Sequence, residues 1–233
     1  MKRAPVMFGA FAPFVVVSLF HLAVKAAGLV DLDRATKGLT IPALLLGVVI
    51  VLGVGRVSVR GPVLALLVAA LVLSWLGDLT LPFFIVGLGF FLVAHLAYIA
   101  LFHLAFRRRL SWWTLGLLPW FAGLLLALWP YLGDQRVAVA VYGAVLAYMA
   151  ASATRGNSFT TIGGALFVAS DSLLAFRLFT PLFQTVPEDV LIMSLYLAAQ
   201  LCITLGVLRT AVPRVGAPRV RAPRPPRPRS AAS

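Results

Sequence analysis

Residues 64–106 carry two apolar runs, separated by Gly77-Asp78 and a turn at Leu81-Pro82, with His95 and Tyr98 inside the second run and Arg107-Arg108-Arg109 closing it. Apolar runs of this length cross a bilayer. They do not alternate with period two, so the crossing segments are helices, which satisfy their own backbone polar groups, and not the strands of a barrel. The whole chain follows suit: 61% of its residues are hydrophobic and 12% are charged, about half the charged share of a soluble domain.

The pattern predicts an all-α membrane protein, a bundle of about eight transmembrane helices at 6–24, 39–55, 62–79, 82–105, 112–129, 137–153, 159–179 and 190–208. The first run lacks a clear small-residue cleavage site and is kept as a span. Polar residues 31–37 are expected to be a loop, and tryptophans flank the fifth span where interfacial aromatics belong. Eight spans place both termini on one side, together with all of the 20 basic residues except Lys25, Arg34, Lys37, Arg136 and Arg177. That bias assigns both termini to the cytoplasm and the protein to the cell membrane. Two regions follow: a transmembrane domain over 1–210 and a Pro/Arg-rich tail over 211–233, expected to be disordered and to lie near anionic lipid headgroups. The net charge of +13 does not imply a nucleic-acid partner, because no aromatics interleave the tail arginines. The single cysteine, Cys202, has no partner for a disulfide.

Ionisable groups inside a span need a partner or water. Asp78 sits toward the outer end of the third span, where it can snorkel or serve a site. Asp171 is deeper, inside Ala169-Ser170-Asp171-Ser172-Leu173, and an acid that far from water suits a proton donor. His95 and Tyr98 share one face of the fourth span, and Tyr196 and Gln200 share one face of the eighth. On their own, Tyr98 is a packing residue and Gln200 is interhelical glue. His21 and His103 lie near span ends, within reach of water, and receive no role. Gly77-Asp78 and Ser170-Asp171 sit four spans apart, as a parallel duplication would place them. No metal-ligand spacing, nucleophile elbow or dinucleotide fingerprint is present, so no metal or cofactor is expected. Carboxylate acid/base chemistry and a proton or ion path remain.

The string of motifs is similar to the YhhN-like lysoplasmalogenase family. It comprises Thr36-Lys37 with Pro42, Gly77-Asp78, Gly87 through Phe90-Phe91-Leu92-Val93-Ala94-His95-Leu96-Ala97-Tyr98, Gly164 through Asp171 to Ala175, then Tyr196 and Gln200. The resemblance runs from Thr36 to Gln200 and leaves the tail out. It implies a multi-pass hydrolase that cleaves the vinyl ether of a lysophospholipid, releasing a fatty aldehyde and a glycerophospho-alcohol. A vinyl ether hydrolyses through protonation at carbon and an oxocarbenium ion, which calls for one acid that donates and one carboxylate that stabilises the cation or activates water, as in glycosidases. Asp171 and Asp78 are expected to divide these roles, with Asp171 as the acid and His95 orienting a carboxylate or the water. Lys37 is expected to pair with the lipid phosphate, and Tyr98, Ser170, Tyr196 and Gln200 to line the substrate site. A proton-coupled carrier and a lipid-binding protein without turnover are the competing readings.

Overall fold

A computed structural model describes residues 9–54, 57–182, 184–210 and 212–213. Its helices are α1 (Ala12–Ala26), α2 (Val30–Val54), α3 (Gly61–Thr80), α4 (Phe84–Ala105), α5 (Leu117–Leu128), α6 (Arg136–Ala153), α7 (Ser158–Phe179) and α8 (Val186–Leu208). Seven helical stretches among the described residues are long and apolar enough to cross a membrane. The remaining expected span is α1, whose 15 residues extend ~22 Å against the roughly 30 Å of a hydrocarbon core; residues 1–8 lie outside the described residues. The fifth span is composite. Short 3-10 turns at Trp112–Gly116 and Trp129–Tyr131 bracket α5, and Pro130 sits in the second of them.

Residues 31–37, expected as a loop, are helical. α2 begins at Val30 with Asp31 and Asp33 in its first turn, where carboxylates stabilise the positive end of the helix dipole. Lys37 therefore projects from a helix wall and not from a mobile rim. The last two helices carry capping boxes: Asn157 accepts from the Phe159 and Thr160 amides, and Thr185 pairs with Glu188. Each satisfies backbone donors that a helix start leaves open.

α8 is the central element: 61% of its spanning window is buried, against 6% for the stretch that contains α5. It packs along α7 and also touches α1, α2 and α3. Close approach to α7 depends on small residues. A Cβ at Gly163 would lie 2.7 Å from Ile203 Cγ1 and 3.0 Å from the Ala199 carbonyl oxygen, and one at Gly164 would lie 2.9 Å from Ala153 Cβ on α6. This is the small-residue packing that brings helices together in lipid, where the hydrophobic effect gives them no reason to associate. The most extensive pairings are α7 with α8 and α3 with α4, the third and fourth helices of each half of the chain.

The arginines at the end of the bundle holding the α4–α5 and α6–α7 connections close helix ends. Arg60 donates to the Leu104 carbonyl, Arg155 to that of Phe106 and Arg108 to that of Gly156. At the same end Val57–Ser58 (β1) pairs antiparallel with Val212–Pro213 (β2), tying the α2–α3 connection to the chain leaving α8. The disordered tail was expected over 211–233; Val212–Pro213 within it are instead held as β2, and residues 211 and 214–233 lie outside the described residues.

Candidate active site

The opposite end of the bundle gathers the C-terminal ends of α1, α3 and α7 and the N-terminal ends of α2 and α8. There Asp78, Asp171, Lys37, Ser170 and Tyr196 line one cavity. Asp78 does not snorkel to water; it is buried, with 7% of its surface exposed. Lys37 Nζ lies 3.0 Å from its Oδ1, and the Tyr196 hydroxyl donates to its Oδ2 at 2.6 Å. Side chains from two helices, α2 and α8, thus hold both oxygens of one carboxylate on a third. An ion pair in this setting loses hydration and is supported by its mutual attraction and the extra hydrogen bond.

Asp171 has different company. It projects from the middle of α7, and the hydroxyl of Tyr142 on α6 donates to its Oδ2. None of the five ion pairs among the described residues includes it. The two acids therefore share a cavity but not an environment: a cation and a phenol hold Asp78, a phenol alone holds Asp171. Tyr142 and Asp171 also line a second, apolar groove between α4, α5, α6 and α7, walled by side chains such as Phe84, Leu88, Phe121 and Leu125. The acid stands where the polar cavity meets this groove.

Several expected site residues stand elsewhere. His95 is fully buried; its Nδ1 hydrogen-bonds the Phe91 carbonyl at 2.6 Å and its Nε2 has no partner. The ring packs edge-on against Tyr142 and Phe167, with centroids 5.4 and 4.9 Å apart, so it contacts the phenol that serves Asp171 and hydrogen-bonds neither acid. Tyr98 donates to Gln200 Oε1 in the core. Both belong to the helix packing behind the cavity and not to its lining. Ser170 lines the cavity, but its hydroxyl donates to the Ile192 carbonyl at 2.9 Å. Lys37, expected to meet a lipid phosphate, is engaged by Asp78.

Sequence reading missed three participants. Tyr142 sits in the sixth span without an ionisable neighbour to mark it. Lys25 and Asp189, 164 residues apart, are bonded at 3.0 Å and line the same polar cavity. His21, expected near water, is fully buried and bonds Thr36 at 2.9 Å: α2 continues as helix through residues 31–37 and covers it. Among the described residues no cluster of three His, Cys, Asp or Glu side chains is placed to hold a metal ion.

Fold and site together define a multi-pass helical membrane protein with two carboxylates inside the bundle, at the junction of a polar cavity and an apolar groove. The chain belongs to the YhhN family, whose model matches residues 32–207. It is 34% identical over 173 residues to lysoplasmalogenase TMEM86B of Homo sapiens, a match covering 67% of this chain and 70% of that protein. It is 36% identical over 157 residues to the lysoplasmalogenase of Mycobacterium bovis, covering 60% of this chain and 59% of that protein. The match to lysoplasmalogenase TMEM86B of Rattus norvegicus is 35% identical over 167 residues, 69% of each chain. No solved structure matches.

Proposed function

We propose that this protein is a membrane-embedded lysoplasmalogenase, hydrolysing the vinyl ether bond of a lysophospholipid to a fatty aldehyde and a glycerophospho-alcohol. The observation that carries the reading is the unequal pair of acids at a polar–apolar junction. The alkenyl chain lies in the groove, the glycerol and head group in the polar cavity, and the vinyl ether beside Asp171.

Asp171, with no cation to hold its charge, is the acid. Its proton goes to the vinyl carbon next to the one bearing oxygen, leaving an oxocarbenium ion. Tyr142 donates to Oδ2 and so leaves Oδ1 to carry that proton. Asp78, held by Lys37 and Tyr196, faces the developing positive charge across the cavity, orients the water that adds to it and takes that water's proton. The hemiacetal then collapses: Asp78 returns the proton taken from the water to the departing glycerol oxygen, and the hemiacetal hydroxyl proton passes to Asp171, which restores both groups to their starting states. Lys37 is a positioning residue for Asp78, and His95 a positioning residue for Tyr142. Tyr98 and Gln200 brace α4 against α8. In this reading both termini are cytoplasmic and the polar cavity opens to the other face, as the distribution of basic residues favours.

The test is release of fatty aldehyde from lysoplasmalogen by the purified full chain in detergent. No aldehyde above the rate of an Asp171→Asn, Asp78→Asn double variant sinks the proposal.

A further inference from the structure

At the mouth of the polar cavity two cations converge on one carboxylate. Lys25 Nζ lies 3.0 Å from Asp189 Oδ2, and Arg177 Nε lies 3.4 Å from Asp189 Oδ1. Lys25 also meets Asp33 Oδ2 at 3.1 Å, and Arg177 Nη1 reaches the Thr185 carbonyl at 3.5 Å. The side chains are only 11% (Lys25), 26% (Arg177) and 30% (Asp189) exposed. We propose that Lys25 and Arg177 form the subsite for the phosphodiester of the lysolipid head group, and that Asp189 occupies it when no lipid is bound. This rests on the lysoplasmalogenase reading given above.

Three features lead there. The first is charge. Two cations reaching the two oxygens of one anion is the arrangement that takes a phosphate, and a phosphodiester presents two anionic oxygens to the same pair. The second is position. Lys25 and Asp189 line the cavity that holds Asp78 and Asp171, and Arg177 follows Asp171 by six residues on α7, ~9 Å toward the mouth. An extended glycerol backbone crosses five bonds from ether oxygen to phosphorus, a reach of the same order, so a lipid with its vinyl ether at Asp171 brings its phosphate to this cluster. The third is that the occupant can leave. Asp189 belongs to the first turn of α8, and a carboxylate displaced from the cations remains at the positive end of a long helix. Lys37, paired with Asp78, has no such freedom, because releasing it would leave that buried carboxylate with the Tyr196 hydroxyl but no cation.

The experiment measures binding without turnover, using the full chain in detergent, a non-cleavable 1-O-alkyl lysophospholipid and a phosphate-free 1-O-alkylglycerol. Lys25→Gln and Arg177→Gln are each expected to shrink the preference for the phosphate-bearing lipid by about 10-fold or more, the worth of a charge-assisted hydrogen bond. Asp189→Asn removes the carboxylate that the two cations share, leaving Asp33 on Lys25, and is expected to enlarge that preference. Variants that weaken both ligands alike, or leave the preference where it was, overturn the assignment. So does inorganic phosphate binding as tightly as the lysolipid, which would mark a free-anion site. If Lys25→Gln does not fold, Arg177→Gln at the rim decides the question. A protein that binds in the expected pattern yet releases no aldehyde from lysoplasmalogen refutes the hydrolase reading and leaves the subsite standing.

Discussion

The Tyr196 hydroxyl reaches from α8 to Asp78 Oδ2 on α3, 118 positions earlier in the chain, at 2.6 Å. This bond couples the most buried helix of the bundle to one of its two acids. Tyr196→Phe removes the donor and little else. Losing a hydrogen bond to a buried charge costs about 1.5–3 kcal/mol, so kcat for aldehyde release should fall roughly 10- to 100-fold. An unchanged kcat in a steady-state assay would show that Asp78 needs only Lys37.

Lys37→Gln should act on folding before it acts on substrate. Removing one partner of a buried pair leaves the other charge uncompensated, a cost of about 3–5 kcal/mol, here at the lower end because Lys37 is 22% exposed. Melting of the detergent-solubilised protein should drop for Lys37→Gln and recover in the Lys37→Gln, Asp78→Asn double variant, which should stay inactive. A single variant that melts like wild type and loses only affinity for the lysolipid would return Lys37 to the phosphate.

Asp171→Asn keeps an oxygen to accept from Tyr142 but has no acid proton to give. The expected loss is roughly 10²–10⁴ in kcat, with binding of the alkyl-ether analogue retained. Near-normal turnover would end the two-carboxylate mechanism, and failure to accumulate in the membrane would make the acid structural.

Gly163→Val tests the packing that brings α7 to α8. Its side chain would enter space already taken by Ile203 and the Ala199 carbonyl, and overpacking costs about 1–3 kcal/mol. The yield of folded protein and the melting temperature should both fall, with turnover per folded molecule reduced as Asp171 shifts relative to Tyr196.

Orientation is tested with a reporter fused after Arg209. Both termini cytoplasmic means activity only from a reporter that works in the cytoplasm. Activity on the other face would invert the bundle and place the polar cavity toward the cytoplasm.

Helix positions were largely legible in the sequence, because apolar runs of membrane length have few alternative folds. Both acids were legible for a related reason: a carboxylate within such a run demands an explanation. What escaped was companionship. Tyr142 looks like any aromatic in a span until α6 packs against α7. Lys25 and Asp189 meet only because α1 lies along α8. The helical start of α2 escaped because Asp31, Arg34 and Lys37 suggest water, whereas in the fold Lys37 turns inward to Asp78 and the two aspartates serve the first turn. His95 and Gln200 were rightly marked as buried polar groups, but polarity on a shared helix face does not say which side of a cavity wall a side chain occupies.

The polar cavity and the apolar groove share Asp171 and Tyr142 but differ in their other walls, charged side chains in one and aliphatic and aromatic ones in the other. On the proposed reaction the two fragments part by solubility: the glycerophospho-alcohol diffuses into water, while the aldehyde slides past α5, the least buried of the spanning stretches, into the lipid phase. Neither fragment then meets the other again at working concentration. Partitioning then adds to the favourable conversion of an enol ether to a carbonyl in keeping cleavage one-way, with no coupled energy source.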